Sequence, residues 1–282
     1  MPELPEVETV RRGLERRTQN FLVSRVVINR ARAIARPSSP EAFAAALTGT
    51  VIGAWGRRGK YLMAQLSHPQ GDKAGTWGVH LRMTGQFLWL SKTRPACAHT
   101  RVQFFNSKGG ELRFIDTRSF GQMWWVPPGE ALEKTITGLQ KLGPEPFSKA
   151  FNCAYLSKKL KGSRRPIKSA LLDQTLVAGV GNIYADESLY AAGILPHTPS
   201  GQLSSAKLEA LQRALVEVLA TSIGAGGTTF SDFRDLSGSN GNYGGQAWVY
   251  RRGGEPCRRC GNLIQREKLA GRSSHWCPQC QR

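Results

Sequence analysis

The sequence contains no stretch of 18 or more apolar residues, and its opening, Met1-Pro2-Glu3-Leu4-Pro5-Glu6, has neither a basic segment nor an apolar core. Neither a membrane-spanning helix nor a secretory signal is expected. Acidic residues are scarce. Only 20 Asp and Glu stand against 39 Lys and Arg, a net charge of +19 and a pI near 10.2. The 31 glycines and 15 prolines make about 16% of the chain, below the ~25% at which low-complexity disorder is the default. Cysteines are few as well, six in 282 residues, and no internal repeat is visible. At about 150 residues per domain the length suggests about two domains, enough to bury a core without disulfides. A basic surplus of this size most simply serves a polyanion, because Lys and Arg that neutralise phosphates release condensed counterions. Nucleic acid is the leading partner class, although a ribosomal protein or a binder of acidic proteins shares the same arithmetic.

Val7, Val10 and Leu14 recur at helical spacing after Pro5, with Arg11, Arg12, Arg16 and Arg17 between them, so an amphipathic helix opens the chain. From Leu22 to Pro127 short β-rich runs follow: Val23 to Ile28, Val51 to Trp55, Tyr61 to Leu66, Val79 to Leu90, Val102 to Phe105, Leu112 to Ile115 and Met123 to Val126. With one short helix near Glu41 to Leu47, this spacing predicts a sandwich or barrel. A composition break at Gly138 to Pro146 places a linker at 137–150, after a first domain of 1–136. Helical periodicity then covers Phe151 to Leu160, Ile167 to Leu176, Ala185 to Ala192 and Ser204 to Ile223. Its clearest stripe is Leu208, Leu211, Leu215, Val218 and Leu219, with Ser204 as N-cap. A helical domain is therefore expected at 151–236. After the Gly, Ser and Asn-rich stretch Ser237 to Gly245 comes a basic module at 247–282.

That module carries Cys257-x-x-Cys260 and Cys277-x-x-Cys280, 16 residues apart. Two such knuckles present four thiolates to one tetrahedral metal with no open position, so one structural zinc ion is expected. Two disulfides or a redox pair are the alternatives. The missing signal peptide disfavours the first, and a redox site has no need of two pairs. Cys97 and Cys153 are left over and are expected to be buried, inert thiols. Arg251, Arg252, Arg258, Arg259, Arg266, Lys268 and Arg272 make the tail basic, either as a rigid probe for phosphates or as a solvated face.

Removal of Met1 makes the Pro2 nitrogen a free amine. An α-amino group titrates near 8 against about 10.4 for lysine, so roughly a quarter is neutral at pH 7.5 against about one lysine in a thousand. A terminal amine is thus the better nucleophile toward an electrophilic carbon, although Glu3 and Glu6 beside it raise its pKa somewhat. A Pro-Glu start is equally an ordinary first helical turn. Arg57-Arg58-Gly59-Lys60 is a phosphate-binding turn or a solubilising loop. Between Phe151 and Lys168 six cations, Arg164 among them, meet no acidic residue. Gly179-Val180-Gly181-Asn182 offers backbone N–H groups to an anion, or is a plain turn.

Taken together these strings resemble the bacterial formamidopyrimidine-DNA glycosylase family. The opening Pro2-Glu3-Leu4-Pro5-Glu6-Val7-Glu8-Thr9-Val10 is similar to the family's N-terminus, and the matches run in family order to Cys280. The resemblance implies an α+β multi-domain protein. Its parts are an N-terminal β-sandwich with a leading helix, a helix-two-turn-helix domain and a C-terminal zinc-finger β-hairpin. It implies a glycosylase and abasic-site lyase of base-excision repair that removes 8-oxoguanine and formamidopyrimidines from damaged duplex DNA. Pro2 corresponds to the amine that attacks C1′, Glu3 to the acid that protonates the opening sugar, and Lys60 to the lysine of the elimination step. Arg272 corresponds to the hairpin arginine that grips phosphate and assists the second elimination. Met83, Arg118 and Phe120 match the residues that fill the space of the extruded base. Glu6, His99, Arg164 and Asn182 match DNA-binding positions. Gly224-Ala225-Gly226-Gly227-Thr228-Thr229 matches a loop over the flipped base. Ser119 departs from the pattern, because that position is commonly basic. A bacterial, cytoplasmic, nucleoid-associated monomer is implied.

Two other readings exist. An endonuclease VIII-like enzyme shares the Pro-Glu start, but Met83, Arg118 and Phe120 argue against it. A non-catalytic zinc-ribbon binder leaves Pro2, Glu3 and Lys60 without a task.

Overall fold

The computed structural model describes residues 1–229 and 233–282. Helix α1 spans Leu4–Thr18, and its start is fixed by two acids. Glu3 and Glu6 form a reciprocal capping box, in which the Glu3 backbone N–H donates to Glu6 Oε2 at 2.8 Å. Leu4, Val7, Val10 and Leu14 are almost completely buried and turn one stripe of α1 into the core.

Nine strands follow: β1 Phe21–Ile28, β2 Ile34–Arg36, β3 Val51–Arg58, β4 Tyr61–Ser67, β5 Lys73–His80, β6 Gly85–Leu90, β7 Thr100–Asn106, β8 Glu111–Asp116 and β9 Gln122–Val126. Helix α2, Pro40–Leu47, lies between β2 and β3 and is capped by Ser39. The strand order is β2-β9-β5-β4-β3-β1-β7-β8-β6. Strand β1 serves both halves. Phe21 pairs with Ile52 of β3, and after a register shift between Val23 and Arg25, Val26 pairs with Phe104 of β7. The two halves make the β-sandwich, and aromatic rings from both fill its interior. Trp77 of β5 lies 4.4 Å from Phe104 and 5.8 Å from Phe87, centroid to centroid.

The run expected as one strand from Val79 to Leu90 is two strands with a turn at Leu81–Thr84. Arg82 takes φ +54° and donates its N–H to His80 Nδ1 at 2.9 Å, and the Gly85 N–H returns to the Leu81 carbonyl at 3.0 Å. Apolar residues continue through the turn, so periodicity alone does not reveal it.

After the short helix α3, Leu132–Thr135, come α4 Cys153–Leu160, α5 Ile167–Leu171, α6 Asn182–Ala191 and α7 Ser205–Gly224. Asn152 and Ser204 cap α4 and α7 by accepting the Tyr155 and Lys207 N–H groups. Helix α5 stops well before the expected Leu176. There the Asp173 carboxylate accepts the backbone N–H and hydroxyl of Thr175 and turns the chain. Strands β10 Gln265–Leu269 and β11 Arg272–Trp276 form the tail hairpin. The two remaining cysteines are not buried as expected: Cys97 is exposed and Cys153 half-buried. Cys97 sits in a solvent-facing loop, and Cys153, although on the face of Leu156 and Leu160, stands at the first position of α4, where the helix end leaves it half covered.

The chain divides into two units. The first is Met1–Gln140 with Gly226–Asn242, the second Lys141–Ala225 with Tyr243–Arg282. The division differs from the sequence-based boundary at residue 236, because Phe233 and Leu236 join the core of the first unit and Trp89 N–H donates to the Leu236 carbonyl. The tail packs with the helices, sharing a core of Tyr190, Val249, Cys257, Ile264 and Cys277. Among the described residues no helix is long and apolar enough to cross a membrane.

Candidate functional site

In the first unit, Pro2, Glu3 and Glu6 are all buried at the head of α1. The Glu6 carboxylate does two things. Oε2 accepts the Glu3 N–H, and Oε1 accepts the Thr228 N–H at 2.8 Å, which ties the Gly226–Thr229 segment to the chain terminus. Gly227, at φ +82°, passes so close to Glu6 that an added Cβ would lie 3.2 Å from Glu6 Oε1. Lys60 follows Gly59, φ +54°, in the turn between β3 and β4, and is only 8% exposed. Its charge is felt by His80. Burial first, then Arg82 and Lys60, push the His80 pKa down to about 3, so the ring is neutral and Nδ1 accepts the Arg82 N–H. The position of His80 at the end of a strand two residues before an arginine was the available signal.

Met83 is half-buried, while Arg118 and Phe120 are exposed, Phe120 by 39%. The Arg118 guanidinium lies 4.9 Å from the Phe120 ring centroid. Fully buried Asp116 organises their turn. Its Oδ1 accepts the Thr84 hydroxyl and the Arg118 N–H, and its Oδ2 accepts the Gly121 N–H at 2.7 Å. Ser119 adopts φ +54° within this turn. His99 is exposed, with Arg101 Nη2 3.4 Å from its Nδ1 and its carbonyl accepting the Asp116 N–H.

In the second unit Arg164 and Arg272 are exposed. Asn182 opens α6, and the turn before it is braced by the Gln174 side chain, which donates to the Val180 carbonyl and accepts the Gly179 N–H. Asn182 Nδ2 donates to the Ser273 carbonyl at 3.0 Å, next to Arg272. Lys168 Nζ donates to the same carbonyl at 2.6 Å and pairs with Asp186 Oδ1 at 2.7 Å; Asp186 Oδ2 in turn accepts the His275 N–H at 3.0 Å. All three of these side chains are buried, and they clamp the start of β11 to α5 and α6. Sequence reasoning missed this cluster because its members are up to 107 positions apart and no local pattern joins them.

The sulfurs of Cys257, Cys260, Cys277 and Cys280 all lie within 4.8 Å of one another. A tetrahedral zinc about 2.3 Å from each sulfur needs them about 3.8 Å apart; the Cys257–Cys280 and Cys260–Cys277 separations are 3.9 and 3.4 Å. The donor set fits zinc. Burial opposes ionisation of Cys257, yet the Tyr190 hydroxyl and the Arg259 and Cys260 N–H groups push its pKa down to about 6, while burial and the neighbouring thiols push Cys277 and Cys280 upward, as happens when four thiols crowd one site. These four residues form the zinc-finger site, and its closed ligand set makes the metal structural.

Three family models match successive segments of the chain. Residues 1–123 match the formamidopyrimidine-DNA glycosylase N-terminal domain, 142–234 the formamidopyrimidine-DNA glycosylase H2TH domain, and 254–282 the zinc finger found in FPG and IleRS. The chain is 66% identical to the formamidopyrimidine-DNA glycosylase of Parasynechococcus marenigrum strain WH8102 over the full length of both. It is 62% identical to that of Synechococcus sp., covering 100% of this chain and 99% of the relative. Among solved structures it resembles a variant of Lactococcus lactis FPG in complex with Fapy-dG-containing DNA, with a TM-score of 0.91 at 36% identity and full coverage of both chains. It also resembles L. lactis Fpg with abasic-site DNA, at TM-score 0.89, 36% identity and 99% coverage of each. With a sandwich led by a Pro-Glu helix, an H2TH domain and a four-cysteine finger all matched along its length, the chain belongs to the formamidopyrimidine-DNA glycosylase family.

Proposed function

We infer that the chain acts as a bifunctional DNA glycosylase and abasic-site lyase, the activity of its family, on formamidopyrimidine and oxidised purine lesions in duplex DNA. The observation that carries this reading is the buried Pro2-Glu3 terminus held by Glu6 at the head of α1. Support comes from the L. lactis relatives, which bind DNA containing Fapy-dG or an abasic site.

Once Met1 is removed, the lone pair of the Pro2 amine attacks C1′ of the extruded nucleotide and the bond to the damaged base breaks. Glu3 delivers a proton to the sugar as its ring opens, leaving an iminium between Pro2 and C1′. That cation acidifies C2′, and loss of its proton expels the 3′ phosphate; a second elimination expels the 5′ phosphate. Lys60 serves the elimination, and Arg272 holds phosphate and assists its second stage. Extruding a base costs a few kcal/mol, less at a damaged pair. Met83, Arg118 and Phe120 fill the vacated space, while Arg164, Asn182 and His99 hold the strand, with Glu6 placing the terminus. The zinc supplies no chemistry and keeps the hairpin of Arg272 rigid. The enzyme works as a monomer in the bacterial cytoplasm, at the nucleoid.

Borohydride trapping on an 8-oxoguanine duplex tests this. A covalent adduct is expected, and most base excision should be lost with Pro2→Gly and with protein that retains Met1 by intact mass. Full activity in either variant removes Pro2 from the mechanism. A stronger reaction on a thymine glycol duplex would move the substrate class to oxidised pyrimidines.

A further inference from the structure

The two reactive groups assigned above sit on different elements: Pro2 and Glu3 at the head of α1, Lys60 on the turn between β3 and β4. Covalent catalysis of this kind needs such groups held to within about 0.5 Å, and a displacement of about 1 Å can cost about a hundredfold. Apolar packing of α1 sets its distance from β3. It sets sliding and rotation less well, because Leu4, Val7, Val10 and Leu14 are alike in shape and lack direction.

Polar contacts along the helix supply that direction. At the far end, Trp55 Nε1 donates to Thr18 Oγ1 at 2.8 Å, and in the middle Arg11 Nη1 donates to the Trp55 carbonyl at 3.1 Å. Nearest the site stands Glu8. Its side chain is 13% exposed and meets three arginines: Arg11 at 3.1 Å, Arg12 at 2.9 Å and Arg57 at 3.2 Å. The pairs of Glu8 with Arg11 and Arg12 lie within the one helix, so neither pair fixes it against another element. Arg57 belongs to β3, is 11% exposed, and forks: Nε donates to Glu8 Oε2, and Nη1 donates at 2.9 Å to the carbonyl of Gly59, the residue before Lys60. One guanidinium thus grips α1 on one side and the Lys60 turn on the other.

We propose that Glu8 and Arg57 are positioning residues that hold the Lys60 turn in register with the Pro2-Glu3 terminus for the elimination step. The proposal rests on the assignment of Pro2 and Lys60 made above. A planar guanidinium with donors in two directions is required for the task, and lysine, with one point charge on a flexible stem, does not replace it.

The test compares Glu8→Gln, Arg57→Lys and Lys60→Ala, with zinc content and melting temperature measured for each. The lyase rate is read in single turnover on a preformed abasic duplex, and affinity on an uncleavable tetrahydrofuran duplex. Glu8→Gln and Arg57→Lys are each expected to slow the lyase rate at least tenfold while affinity stays within twofold. Placed on Lys60→Ala, neither is expected to slow it further by more than twofold, because both act through Lys60. Arg57→Lys leaves the Glu8 contacts to Arg11 and Arg12 in place, so it reports even if Glu8→Gln fails to fold. A wild-type lyase rate in Arg57→Lys overturns the proposal, as does an undiminished extra loss in the Lys60→Ala background. Weakened binding with an unchanged rate would instead make Arg57 a phosphate contact. Full lyase activity in Lys60→Ala itself would mean that the underlying assignment of Lys60 has failed, a separate result.

Discussion

Thr84 and Asp116 join the two segments that carry Met83 and the Arg118–Phe120 pair. The Thr84 hydroxyl donates to Asp116 Oδ1, and the Arg118 N–H lies 3.1 Å from Thr84 Oγ1 and 3.2 Å from Asp116 Oδ1. A side chain inserted into a duplex has to be rigid before it arrives, since ordering it on binding costs free energy. Thr84→Val keeps the shape and removes the hydroxyl. Excision from an 8-oxoguanine duplex in single turnover should fall about fivefold, matching a net hydrogen bond of about 1 kcal/mol. Melting should change little, because Asp116 keeps the Gly121 N–H. An unchanged rate would show that the turn needs no such brace.

Lys168 and Asp186 make a pair with side chains 1% and 0% exposed. Removing one member of such a pair leaves the other charge buried, at a cost of about 3–5 kcal/mol. Lys168→Met should therefore destabilise the chain by that order in chemical denaturation, and Asp186→Asn similarly. The double variant should recover part of the loss, since neither charge then remains. Simple additivity of the two losses would argue that the side chains do not depend on each other.

Much of this architecture was legible in the sequence, and the reasons differ by element. The α1 stripe and the α7 stripe follow from spacing alone, because burial of one helical face leaves a 3.6-residue signature. The zinc site was legible because C-x-x-C is a local geometry. The break after His80 was not, since it depends on Arg82 taking a left-handed conformation while apolar residues continue past it. Nor were three partners set by the tertiary structure: Arg57 for Glu8, Thr84 for Asp116 and Lys168 for Asp186 are distant in sequence and are brought near only by the fold. The packing of Phe233 and Leu236 on the first unit was hidden for the same reason.

Zinc removal follows from the shared core of the tail. Cys257 and Cys277 pack with Tyr190 and Val249, and His275 reaches Asp186 of α6. Stripping the metal with a chelator should abolish DNA binding and also lower the stability of the helical unit, while the sandwich of the first unit stays folded. Tryptophan fluorescence offers separate probes, with Trp77 buried in the sandwich and Trp248 stacked on Tyr190 at 5.6 Å. Single-tryptophan variants should show the Trp248 signal shifting on chelation and the Trp77 signal holding. Retained binding after verified metal loss would refute the structural role.

Acid sensitivity should come in part from His80. Its pKa is pushed from 6.5 down to about 3 by burial and by the charges of Arg82 and Lys60, against a backbone hydrogen bond that raises it. Above pH 6.5 the ring is neutral in both folded and unfolded chains, so it contributes no pH dependence. As pH falls below 6.5 the unfolded chain takes up a proton that the folded chain refuses, and folding stability drops by up to about 1.4 kcal/mol per pH unit until pH approaches about 3. Glu8 acts in a lower window. Burial raises its pKa, but hydrogen bonds from Arg11 and Arg12 and the charges of Arg11 and Arg57 outweigh that and lower it below 4.5, so the stability it gives is lost only under more acid conditions. Between pH 6.5 and 5 the two effects separate. There, unfolding by denaturant should show His80→Asn with a shallower loss of stability than wild type, and parallel slopes would mean that the ring is protonated without cost in the fold.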